Sequence, residues 1–459
     1  MQPIEQSCFW LATRDQSRAA SEPIKTVSGA SRSAQIAIVG AGFTGLWTAY
    51  FLKQLKPDLE IVIVEQGVTG YGASGRNAGM ISNCIDHSHH LAIAHFGLDE
   101  ARRLAAVGLA NIKELADFAK DCDLELSGQL AVALTESHLE ALPGLLKAAE
   151  MVGIPGYQLL DAQAVKARLN SPCYLGGVFL PGGGIVNPIK LVDRLASWLK
   201  ECGVTILEQS RVTAVSAGKI ELASQTISAD KVILATDAYT HKLLPGLLHR
   251  FIPLYDYILV SEPLTASELA SLNWQGREGV TDCRNFFNYY RLTADNRVLW
   301  GTSEAQYYAP HGVGEQYDHS ESHYESLKTS FARFFPQLKD IVWSYSWGGP
   351  IASTTRLTPF FGTAYNDTVL YALGYTGHGL GSTRVAAKIL AHMALHKPSE
   401  LLNLKLATTK PMPYPPEPLR SLAVNMVTGA LRQVDRGQVS MPANLLLNLL
   451  DRLGIGFSS

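Results

Sequence analysis

The sequence predicts a two-domain α/β fold in which a parallel sheet covered by helices is interleaved with a largely antiparallel second sheet. Three observations predict it. Residues 34–65 read as strand, glycine-rich turn, helix (46–56) and second strand (59–65), and both strands are apolar on both faces, as in the middle of a parallel sheet. Residues 251–260 and 279–303 are rich in Tyr, Phe and Val, with Asp295-Asn296 as a turn signal between alternating strands, which is an antiparallel pattern. From 368 the first pattern returns as a strand over 368–374, a glycine-rich turn and a helix over 382–396.

The remaining elements follow the chain. Residues 13–33 are polar and rich in Ser and Ala, so they read as an irregular leader, with order beginning at Ala34. Apolar residues at three- and four-residue steps predict helices over 98–120 and 139–152. Pro188 opens a helix over 188–202, and strands follow near 204–208, 211–215, 219–222 and 231–236. Residues 421–459 contain an amphipathic helix expected to dock on the body.

Composition limits the function classes. A length of 459 residues suits two or three domains, and 47% hydrophobic with 17% charged residues is ordinary for a folded soluble chain. Thirty-nine Lys and Arg stand against 41 Asp and Glu, with no basic block, so binding to nucleic acid has no electrostatic support. The six cysteines form no CxxC and no metal-like pairing with histidine, which argues against a disulfide scaffold and fits a reducing compartment. The first residues lack a basic and then apolar signal pattern, and no apolar stretch is long enough to span a bilayer, so a cytoplasmic protein is expected.

Two motifs carry chemistry. In Gly40-x-Gly42-x-x-Gly45, placed between a strand and a helix, Gly40 allows a tight turn, Gly42 lets backbone approach a pyrophosphate and Gly45 lets helix pack on strand. Glu65, 20 positions after Gly45, ends the next strand and accepts hydrogen bonds from ribose hydroxyls in such a site. An acid there disfavours a 2′-phosphate. The second motif, Gly72-Ala73-Ser74-Gly75-Arg76-Asn77-Ala78-Gly79, supplies another backbone cradle and suggests a cofactor longer than its adenosine half.

With these motifs in hand, the chain resembles the D-amino-acid oxidase superfamily of FAD-dependent amine oxidases, and within it the γ-glutamylputrescine oxidoreductase-like branch. The resemblance also rests on Cys8-Phe9-Trp10, Leu180-Pro181-Gly182-Gly183-Gly184, Leu234 to Tyr239, Tyr289-Tyr290-Arg291 with Asp295 and Arg297, Trp347-Gly348-Gly349, and Gly374-Tyr375-Thr376-Gly377-His378-Gly379. It implies a Rossmann-like FAD-binding domain of the glutathione-reductase/D-amino-acid-oxidase type with an interleaved antiparallel-sheet substrate domain. The FAD domain takes 34–90, 176–245 and 343–400; the substrate domain takes 91–175 and 246–342. Residues 1–33 form the N-terminal leader and 401–459 a C-terminal helical extension.

The resemblance implies that Gly40, Gly42, Phe43, Thr44, Gly45, Glu65 and Gln66 hold the ADP half of FAD, with Val212 against the adenine. Ser74, Arg76, Asn77, Ala78, Gly79 and Met80 approach the ribityl chain and the flavin, and Thr236 and Gly349 belong to the same site. Gly377, His378, Gly379 and Leu380 precede a helix whose dipole can stabilise negative charge at flavin N1/O2. The catalytic candidates are Tyr289, Tyr290, Arg356 and His378. Adjacent tyrosines on a strand point to opposite faces, so only one of the pair faces substrate. Arg356 stands near the carboxylate-binding arginine of relatives, but Pro359-Phe360-Phe361 departs from the amino-acid oxidase pattern.

Cys84, His87, His89, His90 and His95 cluster in sequence, with His87 and His90 at helical spacing. The resemblance implies no metal there, and none is expected. Because relatives sometimes attach flavin through a His or Cys, Cys84, His87, His89 and His90 are candidates for a covalent link. The expected activity is oxidation of a C–N bond in a small primary or secondary amine, such as a polyamine derivative, an N-alkyl amino acid or an aminophosphonate, with O2 reduced to H2O2. The competing readings are a dehydrogenase of the same fold that passes electrons to a quinone or carrier, and a non-catalytic flavin-binding protein.

Overall fold

The computed structural model describes residues 2–14, 32–452 and 455. Its first sheet runs Phe360–Ala364, Val369–Leu373, Thr226–Leu234, Arg32–Val39, Ile61–Val64 and Thr205–Leu207. Pairing is parallel from Val369–Leu373 to Thr205–Leu207, and along this row the outer strand Phe360–Ala364 is antiparallel to its neighbour, as is the hairpin described next. The hairpin Val212–Ser216 and Lys219–Leu222 adds to the side of Thr226–Leu234. All four residues of Ile61–Val64 are buried, as expected for a strand covered on both faces.

The second sheet runs Trp343–Ser353, Ile252–Ser261, Val298–Gln306, Asn288–Leu292, Gly279–Asp282, Gln129–Ala133, Gly176–Leu180 and Gln158–Asp161. It is antiparallel except where Gly279–Asp282 meets Gln129–Ala133. Gly176–Leu180 and Trp343–Ser353 therefore pair in this sheet, although the sequence reading placed both in segments of the FAD domain. Partners decide this: Trp343–Ser353 pairs along the whole of Ile252–Ser261, a long-range match that no local pattern encodes.

Several boundaries shift for local reasons. The first strand starts at Arg32, not Ala34, because Arg32 to Ala34 find parallel partners in Ile227 to Ala229. The first long helix is Phe43–Leu55, beginning directly at its N-cap Gly42. The return helix is Gly379–Ala394, so its first turn belongs to the glycine-rich segment itself. These two helices pack together over the first sheet through Leu46, Trp47, Ala49 and Leu52 on one side and Val385, Ala386, Ile389 and Leu390 on the other, a fully buried apolar seam.

The N-terminus is ordered where the sequence reading had a leader. Short helices Ile4–Ser7 and Phe9–Ala12 bury Cys8 and Trp10, the Trp10 Nε1–H donates to the carbonyl of Asn77 at 2.8 Å, and Arg14 pairs with Asp193. Residues 15–31, most of the expected irregular stretch, lie outside the described residues.

At the other end, the helices Leu419–Asp435 and Met441–Arg452 pack against each other. The Asp435 carboxylate accepts the backbone N–H groups of Asn285 and Phe286 at 2.8 and 2.9 Å, and Arg432 pairs with Glu304 at 2.7 Å. The extension thus docks on the second sheet. Among the described residues no helix is long and apolar enough to cross a membrane.

Candidate active site

A continuous cavity of about 1030 Å³ runs between the two sheets, from the turn at Gly40 to the strands of the second sheet. That is as large as the upper end of small-molecule pockets, ~300–1,000 Å³, as a site for a dinucleotide plus a substrate requires.

At one end, three close approaches build the turn. Gly40 has φ +105°, a conformation that side-chain-bearing residues rarely adopt. A Cβ on Gly45 would sit 2.0 Å from the Gly40 carbonyl oxygen, so only glycine allows this helix to lie against this strand. The Phe43 N–H donates to Ser74 Oγ at 2.8 Å, which ties the first glycine motif to the second. Glu65 is buried, and its two carboxylate oxygens accept the N–H groups of Ala41 and Gly67, each at 2.9 Å. Burial raises its pKa while these bonds oppose the rise. Each oxygen keeps a second lone pair, so the acid that the sequence assigns to ribose hydroxyls also fastens the turn. Gln66, Val212 and Thr236 line the same end, and Thr44 Oγ1 donates to the Tyr375 hydroxyl at 2.9 Å.

In the second motif, side chains hold the loop and leave its backbone facing the cavity. The Asn77 amide donates to the carbonyls of Ala73 and Ser74 at 3.0 and 2.8 Å, and its oxygen accepts the N–H of Gly79 at 2.8 Å. Arg76 donates to the carbonyls of Tyr71 and Gly348 and pairs with Asp318 at 2.7 Å. Its charge is held by Asp318, ahead of the helix Glu321–Phe334, while its bond to Gly348 ties the loop to the second sheet. Ala78, Gly79, Met80 and Gly349 complete this wall.

Gly377, His378, Gly379 and Leu380 line the cavity at the start of the return helix, whose first-turn N–H groups have no intrahelical partners. The His378 ring meets His87 edge to face at 4.1 Å between centroids. Burial lowers the pKa of both rings, so both are neutral near pH 7. His87 precedes the helix His89–Phe96, which Ser88 caps, so the helical spacing of His87 and His90 in the sequence does not place them on one helix face. Instead Cys84, Asp86 and His89 bring a thiol, a carboxylate and an imidazole within 4.8 Å of one another, with Cys84 Sγ 3.3 Å from His89 Nδ1.

The catalytic candidates divide. Tyr289 lines the cavity and donates from its hydroxyl to Asp256 at 2.7 Å. Tyr290 points the other way, into the core, where its hydroxyl meets that of Tyr174 at 2.5 Å and its ring packs on Trp300. Arg356 is also outside the cavity wall. Its guanidinium donates to Thr409 Oγ1 and to the carbonyls of Pro359, Leu406 and Thr409, fastening the chain that leads to the C-terminal helices. Those four acceptors leave it no role as a carboxylate anchor.

Two contributions escaped the sequence reading. Asp256 interrupts the apolar run 251–260 as a lone charge, a signal that was present in the sequence. Val427 and Leu431 of the C-terminal helices also line the cavity, which helical periodicity alone cannot reveal because it does not say where a helix docks.

The residues present fit FAD: a glycine turn too tight for side chains, a carboxylate at the end of the next strand, a second backbone cradle and a helix N-terminus all face one elongated cavity. Comparison with known proteins agrees. The family model described as DAO, FAD dependent oxidoreductase, matches residues 35–393. The gamma-glutamylputrescine oxidoreductase of Escherichia coli (strain K12) is 30% identical over 371 residues, covering 79% of this chain and 84% of that protein. A probable oxidoreductase OrdL of Haemophilus influenzae is 29% identical over 375 residues, covering 79% and 83%. Among solved structures, the glycine oxidase of Geobacillus kaustophilus superimposes with a TM-score of 0.68 at 22% identity, over 83% of this chain and 99% of that one, a likeness of fold.

Proposed function

The chain belongs to the DAO family of FAD-dependent oxidoreductases, and from that premise we propose that it oxidises the C–N bond of a small amine to an imine, which water hydrolyses to a carbonyl product. One observation carries the reading: a single cavity is lined both by the dinucleotide turn and by the second-sheet wall at Tyr289. The flavin, when bound, supplies an acceptor for the hydride on the carbon next to nitrogen.

The chain's own part is to hold, orient and exclude water. Gly40, Gly42, Glu65, Gln66 and Val212 would hold the nucleotide half, and Ser74, Asn77, Gly79, Gly349 and the turn 377–380 the flavin half. The N–H groups that open Gly379–Ala394 are fixed donors for negative charge that develops near them. Val427 and Leu431 cover the cavity with apolar side chains and limit entry of water. The neutral His87 and His378 rings add no positive charge that would repel an incoming ammonium group. Molecular oxygen is the proposed final acceptor, giving hydrogen peroxide.

An anaerobic absorbance titration of the purified flavoprotein against a panel of amines tests this. Bleaching of the flavin band by one amine class, followed by rapid reoxidation and peroxide on admission of air, is the expected result. Slow reoxidation would move the acceptor from oxygen to a carrier. A protein that takes up no FAD, or whose flavin no amine bleaches, would sink the reading.

A further inference from the structure

The wall that the second sheet presents to the cavity carries a single charge. Of the residues that its described strands contribute to the cavity, among them Leu254, Thr281, Tyr289, Ser303 and Gln306, only Asp256 is ionisable to an anion near neutral pH and none is a cation. Among the described residues the cations that line the cavity stand on other elements: Arg76 pairs with Asp318, Lys242 donates to the Val313 carbonyl, and Arg211 adjoins Val212 at the dinucleotide end, while the arginines near this sheet are held by other partners. Arg291 donates to the carbonyls of Gly79 and Val186, Arg284 pairs with Asp282, and Arg432 pairs with Glu304.

The carboxylate is built into place. Opposite Asp256 the ladder to Val298–Gln306 loses register, Tyr255 facing Gln306 while Tyr257 faces Thr302, so the neighbouring strand bulges there. Bulges beside active sites re-aim side chains. On its other side Asp256 is paired with Gly349, which offers no side chain to cover it. The Tyr289 ring reaches the carboxylate by lying across Gly301, where a Cβ would come within 2.3 Å of the ring. One hydroxyl therefore orients one carboxylate, and that carboxylate lines the cavity.

We infer that Asp256, oriented by Tyr289, receives the ammonium group of the substrate, and that the substrate is a cationic amine with no carboxylate or phosphonate beside its amine-bearing carbon. The inference rests on the amine-oxidation reading for what is turned over, and it selects within that reading. A polyamine-like molecule meets a complementary wall. An N-alkyl amino acid or an aminophosphonate would bring an anion to a wall with no cation to receive it. Asp256 is thereby a specificity-determining group, and Tyr289 a positioning residue for it.

The test uses two ions of the same shape and opposite charge, tert-butylammonium and pivalate, with the oxidised holoenzyme. The amine has no hydrogen on its nitrogen-bearing carbon, so it binds without turnover, and binding is read from perturbation of the flavin absorption. Tert-butylammonium is expected to bind and pivalate to fail over the same concentrations. Asp256→Asn should weaken the cation roughly 10- to 100-fold, the range of a lost hydrogen bond to a charged group. Tyr289→Phe should weaken it less while keeping the preference for cation over anion. Equal binding of the two ions by the wild type, or unchanged cation affinity in a flavin-loaded Asp256→Asn, would overturn the inference. Should Asp256→Asn not retain flavin, the wild-type contrast between the two ions decides alone. If the cation binds through Asp256 but no amine bleaches the flavin, the oxidation reading fails and the anchor stands. If amines bleach the flavin equally well in Asp256→Asn, with unchanged KM, the anchor fails and the oxidation reading stands.

Discussion

The two ends of the cavity are made by opposite means. At the dinucleotide end the working surface is backbone: Gly40, Gly42, Gly45 and Gly79 clear space, and Glu65, Ser74 and Asn77 spend side-chain bonds on fixing main-chain N–H groups. At the second-sheet end it is side chain: Asp256 and Tyr289 come from strands that meet only in the folded sheet, and Val427 and Leu431 arrive from a helix more than a hundred residues further on. A backbone site recognises what all dinucleotides share, so it tolerates little change and encodes little selectivity. A side-chain site can be retuned one residue at a time.

That contrast is broken most sharply at Gly45. Gly45→Ala places a Cβ 2.0 Å from the Gly40 carbonyl oxygen, and the helix must move off the strand. The expected outcome is loss of most bound FAD together with about 1–3 kcal/mol of stability, read as flavin absorbance per protein and as Tm. Retention of full flavin would mean that the turn is not what holds the cofactor.

A smaller effect tests the other end. Burial pushes the Asp256 carboxyl up to about 6, with the Tyr289 hydroxyl opposing the rise. Above that pH the group is an anion and attracts an ammonium; below it the group is neutral and the attraction is lost. Affinity for tert-butylammonium, whose own charge persists across this range, should therefore fall as pH drops through about 6, by up to about tenfold per unit. Asp86 and Asp237, also pushed to about 6 by burial, line or adjoin the same cavity and titrate in the same window. The part of the profile that Asp256→Asn abolishes is the part owed to Asp256, and a profile identical in that variant would remove the assignment.

The smallest effect separates the adjacent tyrosines. Tyr290→Phe removes one buried hydrogen bond to Tyr174, which is worth about 1 kcal/mol. It should lower Tm slightly and leave KM and flavin content alone. A raised KM would put Tyr290, and not Tyr289 alone, on the substrate side.

Legibility in the sequence follows the same division. The motif at 40–45, the acid at 65 and the loop at 72–79 are contiguous, and each residue type has a local steric or hydrogen-bonding reason, so they could be read in order. Arg356 shows the opposite case. Its place in the chain suggested an anchor for a carboxylate, but its direction depends on Thr409 and Leu406, which reach it only because the segment after the return helix folds back across the strand end. Tyr289 and Tyr290 were read correctly as facing opposite ways, since strand geometry guarantees it, while which of them faces the cavity was left to the sheet's packing.

By itself, then, the sequence determined the parallel sheet, the dinucleotide turn and the family, because these are written in short-range patterns of glycine, apolar residues and one acid. The tertiary structure alone decided that Gly176–Leu180 and Trp343–Ser353 join the second sheet, that Arg356 turns away from the cavity, and that Asp256 stands as the one charge on its wall. Those outcomes depend on partners tens to hundreds of residues away, and the free energy that selects them comes from burial and long-range pairing, which no local window contains.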